Sequence, residues 1–199
     1  MFDVLAFSPD GKTLAAARWD KTIDLYDMQG KLLKTLPGHD NYVRGLSFSP
    51  DGRLLVSSGA DSHVKLWNLE SGELVNLVVA RGEWLAYTPD GYFDASRGGG
   101  SLVALVKGES TAYGIDQFAA QYNRPDIILE RLGSKNAALV EHYREQYRRR
   151  LAKLGLAEGE LSRDKAVPTV ALTKNRVAGK YLELELAIAG GDADLKSYN

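Results

Sequence analysis

Three histidines, His39, His63 and His142, are the side chains of this 199-residue chain best suited to acid–base or metal chemistry near neutral pH. They lie 24 and 79 residues apart and lack local carboxylate or thiolate partners at zinc spacing, so no metal site is expected. A hydrolase would need His63 or His142 to meet a serine from segments that the sequence does not connect, which makes an enzyme with an unrecognised site the alternative reading. The absence of cysteine excludes disulfides, thiolate metal sites and a cysteine nucleophile within this chain. Arg97-Gly98-Gly99-Gly100-Ser101 has no Lys-Ser/Thr after its glycines and no helix to follow it, so a loop explains it better than a phosphate cradle. Asp192 and Asp194 offer two carboxylates of a calcium loop without the later glutamate, and read as a turn. The basic run from Tyr143 to Arg150 would suit a nucleic-acid adaptor. Its tyrosines, however, fall on an apolar helical stripe and its arginines on the wet side, as in a helix packed on a neighbouring surface. No cofactor is expected.

The elements that hold these residues follow from a repeat. Phe-Ser-Pro-Asp-Gly occurs at 7–11 and 48–52 and returns as Tyr-Thr-Pro-Asp-Gly at 87–91, spacings of 41 and 39 residues. A period near 40 signals an array of supersecondary units. Residues 13–27 lie over residues 54–68 without a gap, so Asp20 falls on Asp61, Leu25 on Leu66 and Tyr26 on Trp67. Pro presets φ at the second turn position, Asp suits the third and Gly accepts positive φ at the fourth, which closes a hairpin between apolar strands. Strands are expected at Thr13–Ala17 and Leu54–Ser58. A polar turn follows each, and then a third strand in which Val64-Lys65-Leu66-Trp67 has one apolar and one wet face. A fourth strand comes after Gly30 or Gly72. The third copy is degenerate, with strands at Trp84–Thr88, Tyr92–Ala95 and Leu102–Lys107 following Glu73–Val79. Asp10, Asp51 and Asp90 are turn residues, not catalytic candidates.

Beyond residue 108 the pattern becomes helical. Ile115–Tyr122 reads as a short helix, and Pro125 opens another that Gly133 ends. A longer helix, capped by Ser134, runs to about Leu154 with Val140, Tyr143, Tyr147, Leu151 and Leu154 on one stripe. Gly155–Asp164 is a polar linker, and Tyr181–Ile188 alternates as a strand. The start of the chain lacks a signal peptide's basic and apolar regions, and no stretch reaches the roughly 20 apolar residues of a membrane span. A formal charge of −1 gives no electrostatic case for nucleic acid or an acidic membrane.

On Gly38-His39, Asp61 and Trp67-Asn68 the repeat resembles a WD-repeat β-propeller. That resemblance implies a buried hydrogen-bond network of His39, Ser57 or Ser58, Asp61 and Trp67. The first unit departs from it, with Ala16 and Ala17 in place of serine and Tyr26 in place of tryptophan. GEWLAYTPDGYFDAS (82–96), NRPDIILERLG (123–133) and VPTVAL (167–172) are similar to the segment that joins a propeller to a caspase-like peptidase in large bacterial proteins, where an immunoglobulin-like segment follows the propeller. The expected fold is therefore mainly β. Residues 1–108 form two to three four-stranded blades, 109–165 a helical connecting segment, and 166–199 an incomplete immunoglobulin-like β segment. The expected function is a non-catalytic protein-interaction or scaffold module in the cytoplasm, regulatory within a caspase-like peptidase system. Three partial blades cannot close a ring of four to eight, so the expected partner is another protein chain or a second copy that completes it.

Overall fold

Ser-Pro-Asp-Gly closes its hairpins as the turn chemistry requires. Ser8 Oγ donates to Asp10 Oδ1 at 2.6 Å, and Ser49 Oγ to Asp51 Oδ1 at the same distance. Gly11 and Gly52 take φ of +68° and +71°, a region that L-residues avoid. In this computed structural model, residues 2–37, 39–107, 111–156, 158, 169–178 and 181–189 are described. Gly38, most of the linker and the Asp192–Asp194 pair lie outside them.

The first sheet is an antiparallel meander of β1 (Phe2–Phe7), β2 (Thr13–Arg18), β3 (Ile23–Asp27) and β4 (Leu32–Leu36). The second begins in the same way, with β5 (Val43–Phe48), β6 (Leu54–Gly59), β7 (Val64–Asn68) and β8 (Leu74–Ala80). It then continues through β9 (Glu83–Tyr87) and β10 (Phe93–Ala95) into a six-stranded sheet. The third copy of the turn therefore starts no blade of its own. Its hairpin adds two strands to the outer edge of the second sheet, β9 pairing with β8 from Ala80↔Glu83 to Asn76↔Tyr87. The expected third strand at Leu102–Lys107 does not join them either. Residues Gly99–Leu102 form a 3-10 turn, and β11 (Ala104–Lys107) pairs with β12 (Thr111–Gly114) in a separate ribbon.

The two sheets stack face to face. Ala15, Ala17, Ile23, Leu25 and Leu36 of the first meet Leu55 and Trp67 of the second in one buried cluster, with Val4, Leu46, Phe48 and Leu74 at its margin. Stacking overturns the expectation that the Lys65 face is wet: Lys65 and Trp67 share that face and both are buried.

The helical segment contains α1 (Ala119–Tyr122), α2 (Pro125–Arg131) and α3 (Ala137–Lys153). Residues Ile115–Phe118, expected as helix, form a 3-10 turn leading into α1. The cap of α3 is Asn136, which accepts from Leu139 N at 3.0 Å, and not Ser134, whose hydroxyl accepts from Asn136 N. Helix α2 lays Ile128 and the following Leu132 on Val75, Ala86, Leu66 and Leu77, the face of the second sheet turned away from the first. The chain divides into two compact units, Met1–Leu154 and Gly155–Asn199. In the second, β13 (Thr169–Ala178) and β14 (Tyr181–Ala189) pair antiparallel with a register shift between Leu172 and Lys174.

Candidate functional site

The second sheet carries a continuous chain of hydrogen bonds on the face it turns to the first. His39 Nδ1 lies 2.9 Å from Asp61 Oδ2, and His39 Nε2 2.8 Å from Ser57 Oγ. Trp67 Nε1 donates to Ser57 Oγ at 2.9 Å. Of the two serines left open by the sequence, Ser57 is the one in the chain. Donor and acceptor counts allow one reading: neutral His39 donates from Nδ1 to the carboxylate and accepts from the Ser57 hydroxyl, which accepts in turn from the indole. Burial pushes the His39 pKa down, against the upward pull of Asp61. Burial would raise Asp61, but the Asp40 amide, the His39 ring and the His63 amide together hold it below the usual carboxylate value. The imidazole is enclosed and both its nitrogens are occupied, so the arrangement ties β6 and β7 to the segment that enters β5.

Several participants carry no local signal in the sequence. Gly59 is one: a Cβ there would stand 2.3 Å from Asp61 Oδ1 and 2.4 Å from His39 Nδ1, so the network needs a residue without a side chain at that position. In the first sheet the equivalent position is Arg18, and the space is used differently. Arg18 Nη1, Tyr26 OH and Thr35 Oγ1 all donate to Asp24, at 3.2, 2.9 and 2.6 Å, and satisfy a carboxylate only 1% exposed. Asp20, the sequence counterpart of Asp61, is instead an exposed turn residue bonded to Thr22. Forty-one residues on from Asp24 and Thr35 come Lys65 and Asn76, where Lys65 Nζ donates to Asn76 Oδ1 at 2.5 Å. Both sheets thus hold a polar pair across their third and fourth strands, with the charge inverted: Lys65 and Asn76 are both buried, whereas buried Asp24 pairs with exposed Thr35.

The other histidines stand apart from this network. His63 bonds the Asp61 carbonyl through Nδ1 and meets the edge of Tyr87, while His142 is exposed on α3 beside Gln146. The arginines of α3 are matched by carboxylates. Arg144 pairs with Glu130 and with Glu141 (2.7 Å), Arg148 with Glu141 (3.1 Å) and Arg149 with Glu145 (3.1 Å). Arg150 departs from the expected wet side: it turns inward to Asn123 and lies 5.4 Å from the centre of the buried Tyr147 ring. Arg124 covers the same ring at 4.0 Å and clamps the buried Asp126 carboxylate. The Asp90 turn residue has also been recruited. Arg131, at the end of α2, reaches Asp90 at 2.7 Å and Glu73 at 3.0 Å, and so pins the helix to two turns of the second sheet. Among the described residues no group of three His, Cys, Asp or Glu could hold a metal ion, and no helix is long and apolar enough to cross a membrane.

Two repeated meanders, a buried His–Ser–Trp–Asp network in one of them, and a 41-residue period are the features that comparison with known proteins can weigh. Residues 4–27 and 30–68 match the family model described as WD domain, G-beta repeat. These two segments are similar to WD repeats and make up about a third of the chain. Among curated relatives, nuclear distribution protein nudF of Aspergillus niger is 51% identical over 39 residues, 20% of this chain and 9% of that protein. The nudF protein of Emericella nidulans is 58% identical over 33 residues, 17% of this chain and 7% of its own length. Nuclear distribution protein PAC1 of Tuber melanosporum is 56% identical over 34 residues, 17% and 8% respectively. The matched stretch thus spans less than a tenth of the length of these fungal relatives.

The second notable surface lies on the opposite side of the first sheet. Leu5, Phe7 and Leu32 are 56%, 60% and 49% exposed, and Leu5 and Phe7 pair across the sheet with Ala16 and Leu14. They border the Asp24 cluster. The sequence shows these residues as ordinary strand hydrophobics. That they face outward is visible only once the first sheet's other face is seen to be occupied by the second.

Proposed function

We propose that the chain is a non-catalytic protein-interaction module: two WD-type blades, closed on one side by helix α2 and open on the other for a protein partner. The observation that carries this reading is the apolar strip of Leu5, Phe7 and Leu32 on the first sheet. Apolar surface gathered on one sheet face marks a site of association. The WD-repeat match supports it, since such blades present faces and loops to partners without catalytic groups. Residues 1–108 would supply the blades and 109–165 the helical closure. On the resemblance of residues 82–199, the hairpin of β13 and β14 would begin an immunoglobulin-like segment, and the module would serve the regulatory side of a caspase-like peptidase in the cytoplasm.

The reading is tested with the double variant Leu5→Ser/Phe7→Ser. The chain should bind an apolar fluorescent dye, and the variant should lose about half or more of that signal. Its melting temperature should stay within about 2 °C of the parent, because exposed side chains contribute little to folding. An unchanged dye signal, or a melting point lowered by about 10 °C, would contradict an open face at this position.

A further inference from the structure

The face of the second sheet that α2 covers continues one strand further, and there its chemistry changes. Leu77 pairs with Ala86, and Ala86 with Asp94. Residues directly opposite one another share a face. A carboxylate of β10 therefore stands where Leu77 and Ala86 set an apolar pattern. Asp94 is half-buried, and its one donor among the described residues is the amide of its own neighbour, Ala95 N, at 2.9 Å. Other buried carboxylates are held differently: Asp24 has three side-chain donors, and Asp126 is clamped by the Arg124 guanidinium. Burial pushes the Asp94 pKa up, opposed only by the Ala95 amide.

Asp94 lines a cavity of about 230 Å³ between β10, the start of α2 and α3, with Pro125, Tyr143, Gln146 and Arg150 on its other walls. Arg150 is the second unusual group. Its terminal nitrogens bond the neutral carboxamide and carbonyl of Asn123, and among the described residues it has no carboxylate partner. Burial pulls its pKa down, and the neighbouring Arg124 adds to the effect. One wall of the cavity thus carries an anion and another a cation, each disfavoured by desolvation, and the two form no ion pair with each other. Half-buried charges left without partners cost free energy that packing does not return.

We infer that this cavity binds a small zwitterion, an α-amino acid whose ammonium group meets Asp94 and whose carboxylate meets Arg150. Each ligand charge supplies the partner that the fold withholds, and a ligand of zero net charge matches a site with one charge of each sign. The volume lies below the roughly 300–1,000 Å³ of sites for drug-sized ligands, which suits a single amino acid. Pro125 and the Tyr143 ring offer apolar contact to the carbon atoms between the two charges. The site lies on the side of the second sheet turned away from the first, so it does not depend on the interaction reading at Leu5 and Phe7.

The experiment titrates L-alanine and L-leucine into the full chain by calorimetry. Each is compared with the amine and the acid that lack one of its charges: ethylamine and propionate for alanine, isopentylamine and isocaproate for leucine. At least one of the two amino acids should bind with a Kd of about 1 mM or tighter, and both of its half-ligands about ten-fold or more weakly. Asp94→Asn keeps the shape of the side chain and its bond to Ala95 N. It should weaken amino-acid binding about ten-fold or more, and leave the melting temperature of the free chain unchanged or higher, because it removes an unpaired charge. Binding of neither amino acid at about 10 mM overturns the proposal. A half-ligand that binds as tightly as its amino acid overturns it too, since the site then takes a single charge, as at a peptide's amino or carboxyl end. So does an Asp94→Asn chain that melts about 5 °C or more below the parent, because the carboxylate is then part of the fold. The dye measurement at Leu5 and Phe7 judges the interaction reading separately.

Discussion

Replacing His39 with alanine should lower stability by about 3 kcal/mol, which for a unit of this size corresponds to a melting point about 10 °C lower. The substitution removes a group from an enclosed site and strands two others. Asp61 loses a charge-assisted partner, and the Ser57 hydroxyl loses the acceptor for its proton. His63→Ala and His142→Ala should stay within about 0.5 kcal/mol of the parent, since neither ring joins a buried network. Thermal unfolding of the three single variants checks the ranking. A His39 variant that melts with the parent, or a folded His63 or His142 variant that loses a hydrolytic activity of the parent, would contradict a structural role for the network.

The same histidine gives the protein a pH dependence whose sign is fixed by its burial. Its pKa is lowered in the folded state from the ordinary value of 6.5. Below 6.5 the unfolded chain takes up a proton that the folded chain refuses, so stability falls as pH drops through 6.5 towards the depressed folded value. Asp61, also depressed, adds a second loss at more acid pH, as its carboxylate is protonated below the ordinary 3.8. The first loss should vanish in His39→Ala and the second should shrink, because Asp61 then lacks one of its donors.

Ile128→Asp should have an effect of similar size for a different reason. Ile128 is buried against Val75, Ala86, Leu66 and Leu77, where a carboxylate would find no donor. The expected cost is about 3 kcal/mol or more, accompanied by new apolar-dye binding as the outer face of the second sheet is uncovered. Arg131→Ala should cost only about 1 kcal/mol, since its bridges to Glu73 and Asp90 are partly solvated. Equal effects of the two substitutions would mean that α2 is held by its ion pairs and not by apolar contact.

The eight strands of the two meanders were legible because they are local. Turn residues at fixed offsets and alternating apolar positions specify a hairpin without reference to anything distant. The contact of Asp61 with His39 spans 22 residues and is not local; it was expected only from the resemblance carried by Gly38-His39 and Trp67-Asn68. What could not be read is what depends on contacts between remote segments. The turn at 87–91 has the same chemistry as its predecessors, yet β9 pairs with β8 and extends a sheet, a choice set by strand pairing and not by the turn. Asp24 and Lys65 sit at positions that alternate as solvent-facing, and become buried because the first sheet stacks on the Lys65 face of β7 and because Arg18, Tyr26 and Thr35 enclose Asp24. Gly59 looks like a strand end; its need for a missing side chain appears only with His39 and Asp61 in place. Helix α2 was visible from Pro125 and Gly133, but its docking on Val75 and Ala86 was not.

The two ends of the blade pair differ: α2 covers one, and the other exposes Leu5, Phe7 and Leu32. Hydroxyl-radical footprinting of the intact chain reads both ends in one measurement. Leu5, Phe7 and Leu32 should oxidise at rates near those of an unfolded chain, while Leu66, Leu77 and Ile128 should be protected about ten-fold or more. Protection of Phe7 in the isolated monomer, or rapid oxidation of Ile128 and Leu77, would contradict it.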